Sequence, residues 1–204
     1  MTEDPLARWN ARFSEPGYLF GTAPNAFLAA QAHRLKKGQR ALAIADGEGR
    51  NGVFLAKQGL SVTAVDFSPV ALAKAKALAD KEGVALAFIE ADLARWQWPV
   101  AAFDVVAAIF IQFAPPPLRA AIFRNIQAAL KPGGLLLLQG YRPEQLEYRT
   151  GGPPHAENMY TEALLRAAFA EMEILHLAAH DSVILEGEGH AGMSALIDLV
   201  AKKR

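Results

Sequence analysis

Short apolar runs alternate with helical patterns along most of the chain, and no other feature restricts its fold as strongly. Parallel strands need long crossover connections, so this alternation is the pattern of strands joined through helices. RALAIA (Arg40 to Ala45), SVTAVD (Ser61 to Asp66) and ALAFIEA read as the first three strands. RNGVFLAKQG reads as a helix stopped by Gly59, and SPVALAKAKALADKEG as one capped by Ser68, opened by Pro69 and ended by Gly83. FDVVAAIFI and LLLLQGY are apolar at nearly every position, as strands covered on both faces must be, and a helix from about Pro117 to Leu130 lies between them, stopped by LKPGG. After the Gly/Pro-rich YRTGGPPHAEN, a long surface loop, comes a short helix following Thr161. EILHLAAHDSVIL and MSALIDLVAK then flank the glycine-rich EGEGHAG, the pattern of an antiparallel pair at a sheet edge. The expected fold is α/β: a doubly wound, mostly parallel seven-stranded sheet with an antiparallel last strand.

A chain of 204 residues with 52% hydrophobic content can fill one core and is short for two independent ones, so residues 1–204 are expected to form a single domain. Within it, residues 1–39 form an N-terminal lid segment and 40–204 the ligand-binding core. Lys+Arg and Asp+Glu balance at 21 each, which leaves no basic surplus for a run of phosphates and argues against a nucleic-acid partner. With no cysteine, disulfides, thiolate zinc sites and cysteine nucleophiles are excluded, and a reducing, cytoplasmic location is expected. MTEDPLARWN has neither a basic nor an apolar leader region, and no apolar run approaches the roughly 18 to 20 residues a membrane span needs. No membrane partner is expected. No His, Cys or acid cluster has metal-ligand spacing, so no metal is expected either.

ADGEGRNG, Ala45 to Gly52, holds a literal G-x-G-x-x-G in Gly47, Gly49 and Gly52. Such a turn lets a ligand approach the backbone and, in dinucleotide proteins, sets a pyrophosphate on the helix N-terminus. Asp46 and Glu48 argue otherwise, because carboxylates repel a pyrophosphate and attract an ammonium or a sulfonium. Ligands of open α/β sheets bind outside the carboxyl ends of the strands, and the second and third strands end in Asp66 and Asp92. Asp66 suits a ribose diol, accepting both hydroxyl hydrogens. Asp92 suits an adenine amino group, with Leu93 and Phe67 over the ring faces. This is an adenosine site with no partner for a pyrophosphate. A second ligand then falls beside the fourth and fifth strands, where Tyr18, Tyr141, Tyr148 and Arg149 are candidate lining residues; Arg149 would pair an anionic acceptor, or else be a solvated surface arginine. Trp9, Phe13, Tyr18 and Phe20 read equally as a packed N-terminal segment and as a lid or substrate wall. His190, between glycines, reads as a hydrogen-bonded turn residue or a base.

These residues are collinear with the motifs of the class I S-adenosylmethionine-dependent methyltransferases, and the chain resembles that group along nearly its whole length. ALAIADGEGRN is similar to the first cofactor motif, VTAVDFS to the second, EADL to the adenine-side motif, FDVVAAIF to the fourth strand and LKPGGLLLL to the entrance of the fifth. WNARF…YLFGTAPNAFL, YRTGGP and EGEGHAGMSAL resemble the tellurite-resistance and thiopurine-type small-molecule methyltransferases. The resemblance implies a Rossmann-like fold, S-adenosyl-L-methionine as cofactor, and methyl transfer to a small molecule such as a thiol, a chalcogen oxyanion or another soft nucleophile. It carries over Asp46, Gly47, Glu48, Gly49, Arg50, Asn51, Asp66, Phe67, Ser68, Ala91, Asp92, Leu93 and Phe110 to the cofactor. Trp9, Tyr18, Phe20, Gln112, Tyr141, Tyr148, Arg149 and His190 fall to the acceptor. Ala43 and Ala45 stand where the group's first motif has an acid and its first glycine. Gln112 stands where related sequences place a histidine, and an amide is no base near neutral pH. Two other readings remain open on the sequence: an NAD(P)-dependent oxidoreductase, and a non-catalytic S-adenosylmethionine-binding sensor or partner protein.

Overall fold

The computed structural model describes residues 4–187 and 189–204. Seven strands form one sheet in the order β3-β2-β1-β4-β5-β7-β6. They are β1 (Arg40–Ile44), β2 (Ser61–Asp66), β3 (Ala87–Glu90), β4 (Phe103–Ile109), β5 (Leu130–Tyr141), β6 (Met172–Glu186) and β7 (His190–Lys203). β1 with β2, β2 with β3, and β4 with β5 pair in parallel, whereas β5 and β7 run antiparallel, as the alternation and the late hairpin pattern require. By its contacts the chain divides into two compact units, Met1–Trp96 with Glu186–Gly189, and Gln97–Leu185 with His190–Arg204.

The first unit holds α1 (Pro5–Ser14), α2 (Ala26–Ala30), α3 (Arg50–Lys57) and α4 (Pro69–Glu82) beside β1, β2 and β3. Three of these helices, α1, α2 and α4, start where the sequence supplies a side-chain cap. The Asp4 carboxylate accepts from Leu6 N–H, Asn25 Oδ1 from Leu28 N–H, and the Ser68 hydroxyl from Ala71 N–H. Gly83, with φ +68°, ends α4 in the left-handed conformation that a side chain disfavours. Val53, Leu78 and Ala79 are the buried centre between α3 and α4, and Tyr18, Leu86 and Phe88 pack against them.

Gly49 begins α3 at φ +87°, and a Cβ there would lie 2.6 Å from the Cβ of Ala75 in α4. The two helices can approach as they do only over a glycine. Gly49→Ala is therefore expected to lose about 2 to 4 kcal/mol in urea denaturation, combining a left-handed alanine with an overpacked contact. A loss below about 1 kcal/mol would show that α3 and α4 separate without strain.

The second unit holds α5 (Pro116–Ala129), α6 (Gln145–Tyr148) and α7 (Glu162–Ala168) beside the remaining strands. Leu136, Leu137 and Leu138 of β5 and Val105 and Val106 of β4 are wholly buried, which explains two runs without alternation. Phe123 of α5 meets Phe169 at 4.9 Å and Tyr160 at 5.6 Å between ring centroids. β5 begins at Leu130, earlier than the LLLL run suggests. Lys131 to Gly134 are accommodated by a shift in register, with Phe103 opposite Leu130 but Val105 opposite Leu135. The expected irregular loop after β5 contains α6 and a single 3₁₀ turn at Ala156–Asn158.

Candidate active site

In the first unit, the turn between β1 and α3 is built by its own acids. The Asp46 carboxylate accepts from Gly52 N–H at 3.1 Å and caps α3 from within. Gly52 has to be a glycine, because a Cβ would lie 2.5 Å from that carboxylate oxygen. Asp66, at the end of β2, accepts from Gly47 N–H and from Ser68 N–H, each at 2.9 Å, and so pins the glycine turn to the second strand. Glu48 is buried, accepts from Leu19 N–H at 2.7 Å and pairs with Lys74 at 3.0 Å. The three glycines thus serve the turn, the α3–α4 contact and the Asp46 cap, a complete account without a pyrophosphate.

The charges at this turn differ from the sequence reading. Glu48 is already balanced by Lys74, so it offers no free charge to a cation. Asp46 keeps some accessible surface, yet burial pushes its carboxyl up to about 7, with the nearby Asp66 adding to the rise and the Gly52 N–H and Arg50 opposing it. Asp66 is also raised, by burial, against the hydrogen bonds from Ser68, Gly47 and Phe67. Ser68, expected at the cofactor, has its hydroxyl occupied: it caps α4 and donates to Asn10 at 2.6 Å. Ala91 continues the β2–β3 pairing by donating to the Asp66 carbonyl. Asp92 is exposed and accepts from Ala94 N–H at 2.9 Å, whereas Leu93 is buried and Phe67 half-buried.

Arg50 opens a buried polar network that the sequence did not announce. Its Nη2 meets Glu186 at 2.6 Å, and the two side chains are 7% and 9% exposed. Glu186 also accepts from Asn25 Nδ2 at 3.0 Å and from Ala26 N–H at 3.1 Å. Asn51, one residue after Arg50, accepts from Asn25 N–H at 3.0 Å. Arg50 Nη1 is buried and has no hydrogen-bond partner among the described residues. The only sequence signals for Asn25 and Glu186 were the motifs PNAF and EGEG themselves, since nothing in them names a partner.

The N-terminal aromatics stay in the first unit. Trp9 stacks on Phe13 at 5.3 Å, Phe20 lies 6.3 Å from Trp9, and the Phe13 ring approaches Gly47. Gly189 donates to the Leu19 carbonyl, and its Cβ would lie 2.4 Å from the Phe20 ring. Tyr18 packs on α3 and α4 and donates its hydroxyl to the Lys74 carbonyl at 3.2 Å, the packed-segment side of its two readings.

In the second unit, Phe110 follows β4 at φ +54°, and in the first unit Ala45 follows β1 at φ +46°. Left-handed residues other than glycine at strand ends store strain that is common at ligand sites. Phe110, Tyr141 and His190 form one aromatic group, with His190 4.3 Å from Phe110 and 5.7 Å from Tyr141 between centroids. Gln112 is a backbone clamp. Its amide donates to the Tyr141 carbonyl at 2.7 Å and accepts from Tyr141 N–H at 2.6 Å, so both amide atoms are occupied. Tyr148 is at the surface and donates to Asp181 at 2.9 Å. Arg149 is exposed, at φ +56°. His180 lies between Ser182 at 2.9 Å and Asp198 at 3.0 Å, and Gln139 donates to Asp198 at 2.6 Å. Among the described residues no cluster could hold a metal ion, and no helix is long and apolar enough to cross a membrane.

Residues 41–134 match the sequence family described as a methyltransferase domain. The ribosomal protein L11 methyltransferase of Thermus thermophilus is 34% identical over 131 residues, which are 62% of this chain and 49% of that protein. The chain thus spans about half the length of the curated relatives it matches. Among solved structures, a protein described by the conversion of a disulfide bond into a thioacetal group during echinomycin biosynthesis shares the fold at a TM-score of 0.77. It is 20% identical, with 98% of this chain and 93% of that one covered. The N-methyltransferase NodS of Bradyrhizobium japonicum, in complex with S-adenosylhomocysteine, shares it at 0.73, with 12% identity and 98% and 99% covered.

Proposed function

We propose that the chain is an S-adenosylmethionine-dependent methyltransferase of a small-molecule acceptor, working as one domain. The observation that carries the reading is Asp66. Backbone N–H groups fix its carboxylate at the end of β2, Gly47 on one oxygen and Ser68 on the other, with Phe67 adding to them, and the acceptor capacity left on the carboxylate suits ribose hydroxyls. The match of residues 41–134 to a methyltransferase domain supports it. Asp92, exposed and held by Ala94 N–H, would accept from the adenine amino group, with Leu93 and Phe67 as the apolar flanks.

The bound cofactor supplies an electrophilic methyl on a sulfonium, an excellent leaving group. The protein's own contribution is then to align the acceptor with that methyl and keep water away. Gln112 supplies no base, because both of its amide atoms hold Tyr141. A thiolate or another soft anion needs none, and the sulfur chemistry of the echinomycin protein that shares the fold favours such an acceptor. The resemblance to tellurite-resistance and thiopurine-type enzymes points the same way.

Calorimetry with S-adenosylhomocysteine and the nicotinamide cofactors tests the cofactor, and methyl release over thiols, selenite and tellurite tests the acceptor. Asp66→Ala is expected to weaken S-adenosylhomocysteine binding by about 1.5 to 3 kcal/mol, because a charged acceptor of two hydrogen bonds is lost. Binding of a nicotinamide cofactor alone would overturn the reading. Unchanged affinity in folded Asp66→Ala would remove that residue from the site, and cofactor binding without turnover on any acceptor would leave a sensor.

A further inference from the structure

We propose that β6 pairs antiparallel with β6 of a second copy of the chain, extending the sheet across a two-fold axis into a dimer. β6 ends the strand order, so β7 lies along one of its edges and, among the described residues, the sheet supplies no strand to the other. Such an edge is normally blunted by shortness, by proline or by lysine. MEILHLAAHDSVILE is 15 residues long and has no proline, glycine, lysine or arginine. Its burial alternates, with the odd-numbered residues on the outer face. That face carries Leu175, Leu177, Ala179, Val183 and Leu185; Leu185 is 83% exposed, Val183 62% and Leu175 38%. Asp181, the acid in their midst, is already held by Arg142 and by the Tyr148 hydroxyl.

Length selects the occupant. β3, at the other end of the strand order, has 4 residues, Ala87–Glu90, and in a head-to-tail stack would cover only a fraction of β6. A second β6 running antiparallel covers it fully and closes the pair under two-fold symmetry. Pairing centred on His180 sets Leu175 opposite Leu185 of the second copy and Leu177 opposite Val183. Asp181 then falls opposite Ala179, so no acid faces an acid. His180 itself lies on the inner face, held by Asp198 and Ser182. Lys+Arg and Asp+Glu balance at 21 each, so two copies meet without net repulsion. A strand of 15 residues is about 50 Å long and a sheet with its side chains about 10 Å thick, which gives about 500 Å² per copy and about 1,000 Å² in all, the lower bound for a specific interface.

Sedimentation of the full chain over about 1 to 200 μM reads the pairing, and the wild-type protein is expected to pass from monomer to dimer within that range. Val183→Lys combined with Leu185→Lys places charge on two residues that are already exposed. It is expected to weaken the dimer by about tenfold or more, while the urea midpoint at low concentration stays that of wild type. Val100→Lys, on a residue 76% exposed and outside the sheet, is expected to leave the dimer intact. The chain has no cysteine, so single introduced cysteines report the register. A mixture of the Leu175→Cys and Leu185→Cys proteins is expected to form a disulfide-linked dimer on oxidation. Either protein alone is expected not to, because its like positions lie about 34 Å apart in this register. A monomer at every concentration would overturn the proposal and leave the edge to a different partner. A dimer unchanged by the paired lysines, or cross-linking as strong within one cysteine variant as in the mixture, would overturn it by placing the contact elsewhere.

Discussion

Glu186→Ala is expected to lower the stability of the protein by about 3 to 5 kcal/mol, the cost of leaving a buried arginine without its counter-charge. The glutamate also accepts from Asn25 Nδ2 and Ala26 N–H at the start of α2, so the alanine abandons three donors at once. Glu186→Gln retains an acceptor at the same place and is expected to lose less than half as much. Urea denaturation of the three proteins under one set of conditions checks the order. A Glu186→Ala variant within about 1 kcal/mol of wild type would mean that water replaces the carboxylate freely, and that the network is not closed as its exposures indicate.

The second large effect depends on pH. Asp46 has an ordinary value of 3.8 and is raised to about 7 in the folded protein. The folded state therefore holds a proton between those values that the unfolded chain releases. The stability this contributes is complete below about pH 4 and is lost as the pH rises through about 7. At about 1.36 kcal/mol per unit the whole loss is on the order of 4 kcal/mol, and about half of that once the partial exposure of the residue is allowed for. Asp46→Asn keeps an oxygen for Gly52 N–H and cannot ionise. Between pH 4.5 and 8 the wild-type protein is expected to lose about 2 to 4 kcal/mol more than the variant. Parallel stability curves for the two proteins would show that Asp46 ionises in the fold as easily as in water.

How much of this was legible in the sequence depends on the distance over which each signal acts. The cap at Ser68, the left-handed stop at Gly83 and the apolar runs of β4 and β5 are local patterns, and they lie where the sequence puts them. Asp66 at the end of β2 follows from strand polarity alone. Glu48 was read as a free carboxylate because nothing near it reveals Lys74, 26 residues on. Gln112 was read by its position after β4, and only the parallel pairing of β5 beside β4, which brings Tyr141 next to it, shows that its amide holds a backbone. Gly49 and Gly52 looked like ligand glycines for a related reason. A sequence shows that a Cβ is missing, but not whether a ligand, Ala75 or Asp46 fills the space.

The tie between Arg50 and Glu186 also orders events as the chain is made. Arg50 and Glu186 are 136 residues apart, and Asn25 and Glu186 are 161 apart. During synthesis the strands and helices up to β3 leave the ribosome before the partner of the arginine is translated. Contacts at such separations also form late in refolding, because the loops they close are long. Until Glu186 arrives, the turn and the start of α2 hold an unbalanced cation, and the N-terminal unit stays open to chaperones and proteases. The first unit is thus finished by a residue made long after its own strands and helices.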